Sequence, residues 1–117
     1  MEWEIKENKI SYWVRLVTPD REHNEIESMT MSISWNYSNL MLNLPCGWAR
    51  DWQGKTAKDM QLPIQLSMNA LINNPERFRQ YELKPEEHLG SIDVCLEILE
   101  DALVLFLKHP EGIITVD

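Results

Sequence analysis

The apolar residues of this chain change period partway along its length, and that change constrains the fold more than any other feature. From Ile26 to Asn36 they alternate: Met29, Met31, Ile33 and Trp35 fall on one side, and Thr30, Ser32 and Ser34 on the other. A period of two, with one apolar and one polar face, marks a strand buried on one side. From Ser91 onward the period is helical. Ile92, Cys95, Leu96, Leu99, Leu103 and Phe106 form one stripe, while Glu97, Glu100 and Asp101 lie largely opposite. Ser91 and Asp93 suit the start of that helix, and Lys108, His109, Pro110 and Gly112 suit its end. A strand-forming half followed by a helix-forming half predicts an α+β fold.

The remaining elements fill in this outline. Glu2–Ile5 alternates, and Ser11–Thr18 is rich in β-branched and aromatic residues that suit a pleated surface. Asn8 and Lys9 lie between these runs as a hairpin turn, and Pro19-Asp20 opens a polar loop to about Glu25. Three strands with short connections predict an antiparallel meander. Tyr37–Leu44 reads as a helical turn or short helix ending before Pro45. Thr56 and Asp59 resemble a capping box. Pro63 lacks an N–H and its ring strikes the preceding turn, so the pattern predicts a short helix over 57–61 and a second from Pro63 to Asn73. Asn74-Pro75-Glu76 starts another short helix reaching about Tyr81. Ile113–Val116 predicts a final strand on a sheet edge. The expected architecture is one α+β domain over residues 1–117. An antiparallel three- to four-stranded sheet from the N-terminal half packs against C-terminal helices.

Composition narrows the function classes. Hydrophobic residues make up 44% of the 117 and charged residues 26%, which suits a folded domain able to close a core without metal or disulfide staples. Nineteen acids against eleven bases give a formal net charge of -8. Binding to phosphate backbones needs clustered cations, so direct nucleic-acid binding is not expected. The N-terminus Met-Glu-Trp-Glu-Ile-Lys lacks the basic start and apolar run of a secretory leader, and Cys46 and Cys95 are far apart in sequence. A cytoplasmic protein with reduced thiols is the expectation. The most apolar stretch, Val94–Leu107, is interrupted by Glu97, Glu100 and Asp101, so no membrane partner is expected.

No catalytic pattern assembles from the residue order. Ala49-Arg50-Asp51-Trp52-Gln53-Gly54-Lys55-Thr56 fits a loose phosphate-binding loop with alanine for the first glycine. That mechanism needs a glycine-rich loop leaving a buried strand, so that successive N–H groups turn inward. Here a Pro-Cys-Gly turn precedes the loop, and Arg50 and Trp52 fill it. Lys55 therefore reads as a surface lysine and Thr56 as a helix cap. His23, His88 and His109 lie in three separate contexts, without metal-ligand spacing to either cysteine. Cys95 falls on the apolar helix stripe, and nothing near Cys46 in sequence would activate it. The expectation is a protein that is not an enzyme and carries no cofactor or metal.

Trp48 and Trp52 share a loop with Arg50 and Lys55, and tryptophan and arginine are preferred anchors at interfaces. These four residues are the candidate binding residues, set against the alternative that the indoles fold back onto the core. Charge is also polarised: residues 80–117 hold nine acids and only Lys84 and Lys108, while residues 50–79 are slightly basic. Asn36-Tyr37-Ser38 with Met41, Gly54-Lys55-Thr56-Ala57, Pro63, Asn74-Pro75, Gly90-Ser91 and His109-Pro110 give the chain a resemblance over about residues 33–116. On these residues it resembles a loosely defined group of small phage and prophage proteins of unknown function. The resemblance implies a mobile-element origin and a compact non-enzymatic role. The expected function is that of an acidic binding or inhibitor-type protein acting on a host protein. The alternative is a small-ligand, nucleotide-type binding or sequestering protein, with Trp48 or Trp52 stacking on a base and Arg50 or Lys55 meeting phosphate. A homo-oligomer is compatible with either reading.

Overall fold

The computed structural model describes residues 11–26 and 31–117. The strand expected at Glu2–Ile5, the turn at Asn8 and Lys9, and the positions of Trp3, Met29 and Thr30 lie outside the described residues.

Among the described residues, three antiparallel strands make up the sheet: β1 (Ser11–Val17), β2 (Met31–Ser34) and β3 (Ile113–Val116), in the order β2-β1-β3. β1 is the centre strand. Tyr12 lies opposite Ile33, and on the other side Val14 and Leu16 lie opposite Val116 and Ile114. Because side chains alternate across a strand, this register puts Val14, Leu16, Ile33 and Ile114 on one face, all buried. Trp13 and Arg15 take the other face. Trp13 is consequently about half exposed, and Arg15 pairs with Asp117 at 3.0 Å.

β2 ends earlier than the alternation of Ile26–Asn36 implies. Ser34 ends it, because its hydroxyl accepts a hydrogen bond from the Asn36 amide at 3.2 Å and turns the chain into a 3-10 helix over Trp35–Tyr37. Trp35 leaves the alternating face and is exposed, whereas Tyr37 packs into the core. The short helix α1 (Ser38–Leu42) follows, buried through Leu40 and Met41.

The long helix α2 (Ala57–Asn73) is continuous, which corrects the expected break at Pro63. Thr56 caps it, accepting from the Asp59 amide at 3.1 Å. A proline inside a helix costs about 3 kcal/mol or more through a lost hydrogen bond and a ring clash. Met60, Ile64 and Leu71 lie on one buried stripe that spans the proline, and each buried side chain contributes roughly 1.5–3 kcal/mol. Burial on both sides of Pro63 outweighs the local penalty. The short helix α3 (Pro75–Phe78) and a 3-10 turn over Arg79–Tyr81 come next, with no side-chain cap from Asn74.

Helix α4 (Ile92–Lys108) is capped by Ser91, which accepts from the Val94 amide at 3.3 Å. A second group, the Glu82 carboxylate, accepts from the Ile92 amide at 2.8 Å. A buried carboxylate at the positive end of a helix is favourable. Its buried stripe is Ile92, Cys95, Leu99, Ala102, Leu105 and Phe106, so Leu96 and Leu103 are only partly covered. α2 and α4 run antiparallel, since the Lys58 amide donates to Pro110 and the Gln61 side chain donates to the Phe106 carbonyl at 3.0 Å. Together they cover the apolar face of the sheet.

Candidate functional site

The loop over residues 46–54, with Lys55 beside it, is the expected contact site, and its local bonding settles where each side chain goes. The Cys46 amide donates to the Ser67 hydroxyl at 2.9 Å, and that hydroxyl donates to the Pro63 carbonyl at 2.8 Å. Ser67 is fully buried, so this serine ties the loop to the middle of α2. The Trp52 indole N–H donates to the Cys46 carbonyl at 2.8 Å, and its ring meets Phe106 edge-on at a centroid distance of 6.0 Å. Trp48 packs edge-on against Tyr12 at 5.3 Å. Trp52 has no exposed surface and Trp48 has 7%.

The candidate set therefore divides. Trp48 and Trp52 are core residues whose faces are already occupied, while Arg50 and Lys55 remain exposed on the surface of the same loop. The four are brought together along the chain, but only the two cations can meet another molecule. An indole buried against Phe106 offers no face for a base to stack on.

The loop is also unsuited to cradling phosphate. Its backbone N–H groups are already used: Gly54 donates to Ile114, Lys55 to Trp52 and Ala57 to Gly112, at 2.8–3.0 Å. The Gln53 side chain accepts from the Val116 amide at 2.6 Å. Residues 53–57 in effect extend the sheet beyond β3 and cover an edge that would otherwise template aggregation.

Both cysteines are free thiols inside the core. Burial pushes Cys46 up to about 11, and the Cys46 thiol donates weakly to the Gly47 carbonyl at 3.4 Å. Burial, with Cys46 nearby, pushes Cys95 up to about 12. The thiolate is the nucleophilic form, so neither sulfur is activated near neutral pH. Among the described residues, no group of three or more His, Cys, Asp and Glu side chains is placed to hold a metal ion. No helix among them is long and apolar enough to cross a membrane.

A surface that the residue order did not single out stands on the outer face of the helix layer. On α2, Leu62 and Leu66 are 61% and 46% exposed; on α4, Val104 and Leu107 are 56% and 57% exposed. All four lie opposite the buried stripe of their own helix. The hydrogen bond from Gln61 to Phe106 sets these two helices side by side at this level. With a rise of 1.5 Å per residue, the four side chains fall within roughly 9 Å along the helix axes. Glu97, Glu100 and Asp101 are exposed on the α4 side of the group. The signal was present in the sequence: both helices carry large aliphatic residues on the face away from the core, where a solvated helix is polar.

Comparison of the chain with protein-family models, with curated proteins and with solved structures gave no match.

Proposed function

We propose that this chain is a non-enzymatic protein-binding module of the inhibitor type, and that it engages its partner through the outer face of α2 and α4. The observation that carries this reading is the exposure of Leu62, Leu66, Val104 and Leu107 on adjacent helices. Single exposed aliphatics are ordinary on protein surfaces, whereas four on two adjacent helices support a contact surface. The acidic border adds electrostatic steering toward a positively charged surface.

The test is a comparison of two baits. The parent chain and a Leu66→Ser/Val104→Ser variant are used to capture partners from the source cell extract, with thermal melts confirming that both are folded. The parent recovers a stoichiometric, salt-sensitive partner, and the variant loses it. Equal recovery by both baits, or no specific partner with either, refutes the assignment of this face.

A further inference from the structure

We infer that residues 83–90 form a strap that opens and closes over Tyr37 as one unit, with the Glu82 carboxylate as its catch. This device is separate from the α2–α4 face and does not depend on it.

The strap is closed by its own backbone. The Lys84 amide donates to the Leu89 carbonyl at 2.9 Å, and the Leu89 amide donates back to the Lys84 carbonyl at 3.1 Å. A 3-10 turn over Pro85–Glu87 spans the gap, with the Glu87 amide donating to Lys84 at 2.9 Å and the His88 amide to Pro85 at 3.0 Å. These bonds lie within the segment, so they survive when it moves as a piece.

Its hold on the rest of the chain is slight. Residues 83–89 are exposed one after another, and its large aliphatics, Leu83 and Leu89, are 43% and 39% exposed. The Tyr37 hydroxyl donates to the His88 carbonyl at 3.4 Å, which is long for such a bond, and Gly90 lies beside the same hydroxyl. Gly90 is buried, with its backbone against the Asn36 carbonyl. Segments with little apolar burial and exposed backbone bonds open at a fraction of the cost of unfolding the whole chain.

Glu82 is the exception. Its side chain is 4% exposed, and its carboxylate accepts from the Ile92 amide at 2.8 Å and faces the Arg79 guanidinium at 3.6 Å. Residues 82 and 92 flank the strap, so this bond pins its two ends together. A charged acceptor on a backbone N–H is among the stronger hydrogen bonds. Swinging the strap outward turns the chain at Leu83 and Gly90 and draws Glu82 off the Ile92 amide. Glycine absorbs such a backbone change readily. Tyr37 is 6% exposed in the closed form, and burial pushes its phenol above the ordinary value. The open form presents that ring and hydroxyl two residues from the exposed Trp35, a surface that the closed form withholds.

Acylation of Tyr37 by N-acetylimidazole, followed by peptide mass spectrometry on the intact chain, reports the open population. Glu82→Ala raises the Tyr37 rate by about tenfold to a hundredfold, and Glu82→Gln, which keeps an acceptor for Ile92, raises it less. Tyr12, which packs on Trp48, keeps its rate. Ser67→Ala weakens the core through a bond outside the strap and changes the Tyr37 rate by less than about twofold. In the parent chain the Tyr37 rate stays nearly flat in urea well below the unfolding midpoint, because strap opening bares little surface. Any of three results overturns the inference. One is a Tyr37 rate unchanged by Glu82→Ala, and another is equal acceleration by Ser67→Ala. The third is a parent rate that climbs with the full unfolding slope in urea, and this decides the matter even if Glu82→Ala does not fold.

Discussion

Replacing Trp52 with alanine separates a core residue from a contact residue by its effect on stability. The indole is fully buried, packs edge-on against Phe106, and donates to the Cys46 carbonyl. Truncating a buried tryptophan costs about 3–5 kcal/mol through lost transfer energy and the cavity left behind. The Cys46 carbonyl, deprived of its donor, adds about 1 kcal/mol. A chain of 117 residues has a total stability of roughly 6–18 kcal/mol, so a loss of about 5 kcal/mol removes a large share. At about 2.1 cal/mol/K per residue the unfolding entropy is roughly 250 cal/mol/K, and the melting temperature falls by about 20 °C. Trp52→Phe keeps most of the ring volume and loses the N–H, so its cost is about 1–3 kcal/mol, or roughly 4–12 °C. Circular dichroism melts of the parent and both variants, with Arg50→Ala as a surface control, measure these shifts. Arg50→Ala melts within about 2 °C of the parent. A Trp52→Ala protein that melts within about 4 °C of the parent would show that the indole does not hold the core, and the division of the loop residues would be wrong.

Three further outcomes follow from the same core. Ser67→Ala strands the Cys46 amide without its acceptor and destabilises by about 1–3 kcal/mol in urea unfolding, with an unchanged denaturant slope. Gly90→Ala combines a φ of +64° with a Cβ only 2.7 Å from the Asn36 carbonyl, so it lowers the melting temperature by more than the few degrees of a surface substitution. The thiols set an alkaline limit. Well below pH 9 both are neutral whether the chain is folded or unfolded. Above it the unfolded chain loses protons that the folded chain keeps, so stability falls from about pH 9 up through pH 11 as Cys46 reaches its folded value. Cys46 alone accounts for at most roughly 3 kcal/mol of that loss. A Cys46→Ala/Cys95→Ala variant shows a flatter stability profile over this window, and both native thiols react with a disulfide reagent at pH 8 only after unfolding.

Features fixed by neighbouring residues were readable from the residue order. Thr56 and Ser91 cap the helices they precede because a cap needs only a hydroxyl and an amide three residues on. The α+β division, β1, β3 and the long α4 were legible through period and capping. At Pro63 a local reading fails, because the cost there is opposed by Met60, Ile64 and Leu71, whose burial depends on what the rest of the chain places against them. The fate of Trp48 and Trp52 was hidden for the same reason: their partners, Tyr12 and Phe106, are remote in sequence. Ser34 ended β2 early through one side-chain hydrogen bond, a competition that alternation alone does not register.

The position of β3 bears on how quickly the chain can fold. β1 is the central strand, yet Val14 finds its neighbour Val116 about a hundred residues downstream. β3 also holds residues 53–57 and, through Pro110, the first turn of α2. Among the described residues, β1 therefore has only β2 to pair with during synthesis, and its other edge stays open, until the segment carrying β3 leaves the ribosome. Pairings this distant in sequence slow folding. The interval before β3 docks is when the nascent chain is most exposed to aggregation and most dependent on chaperones.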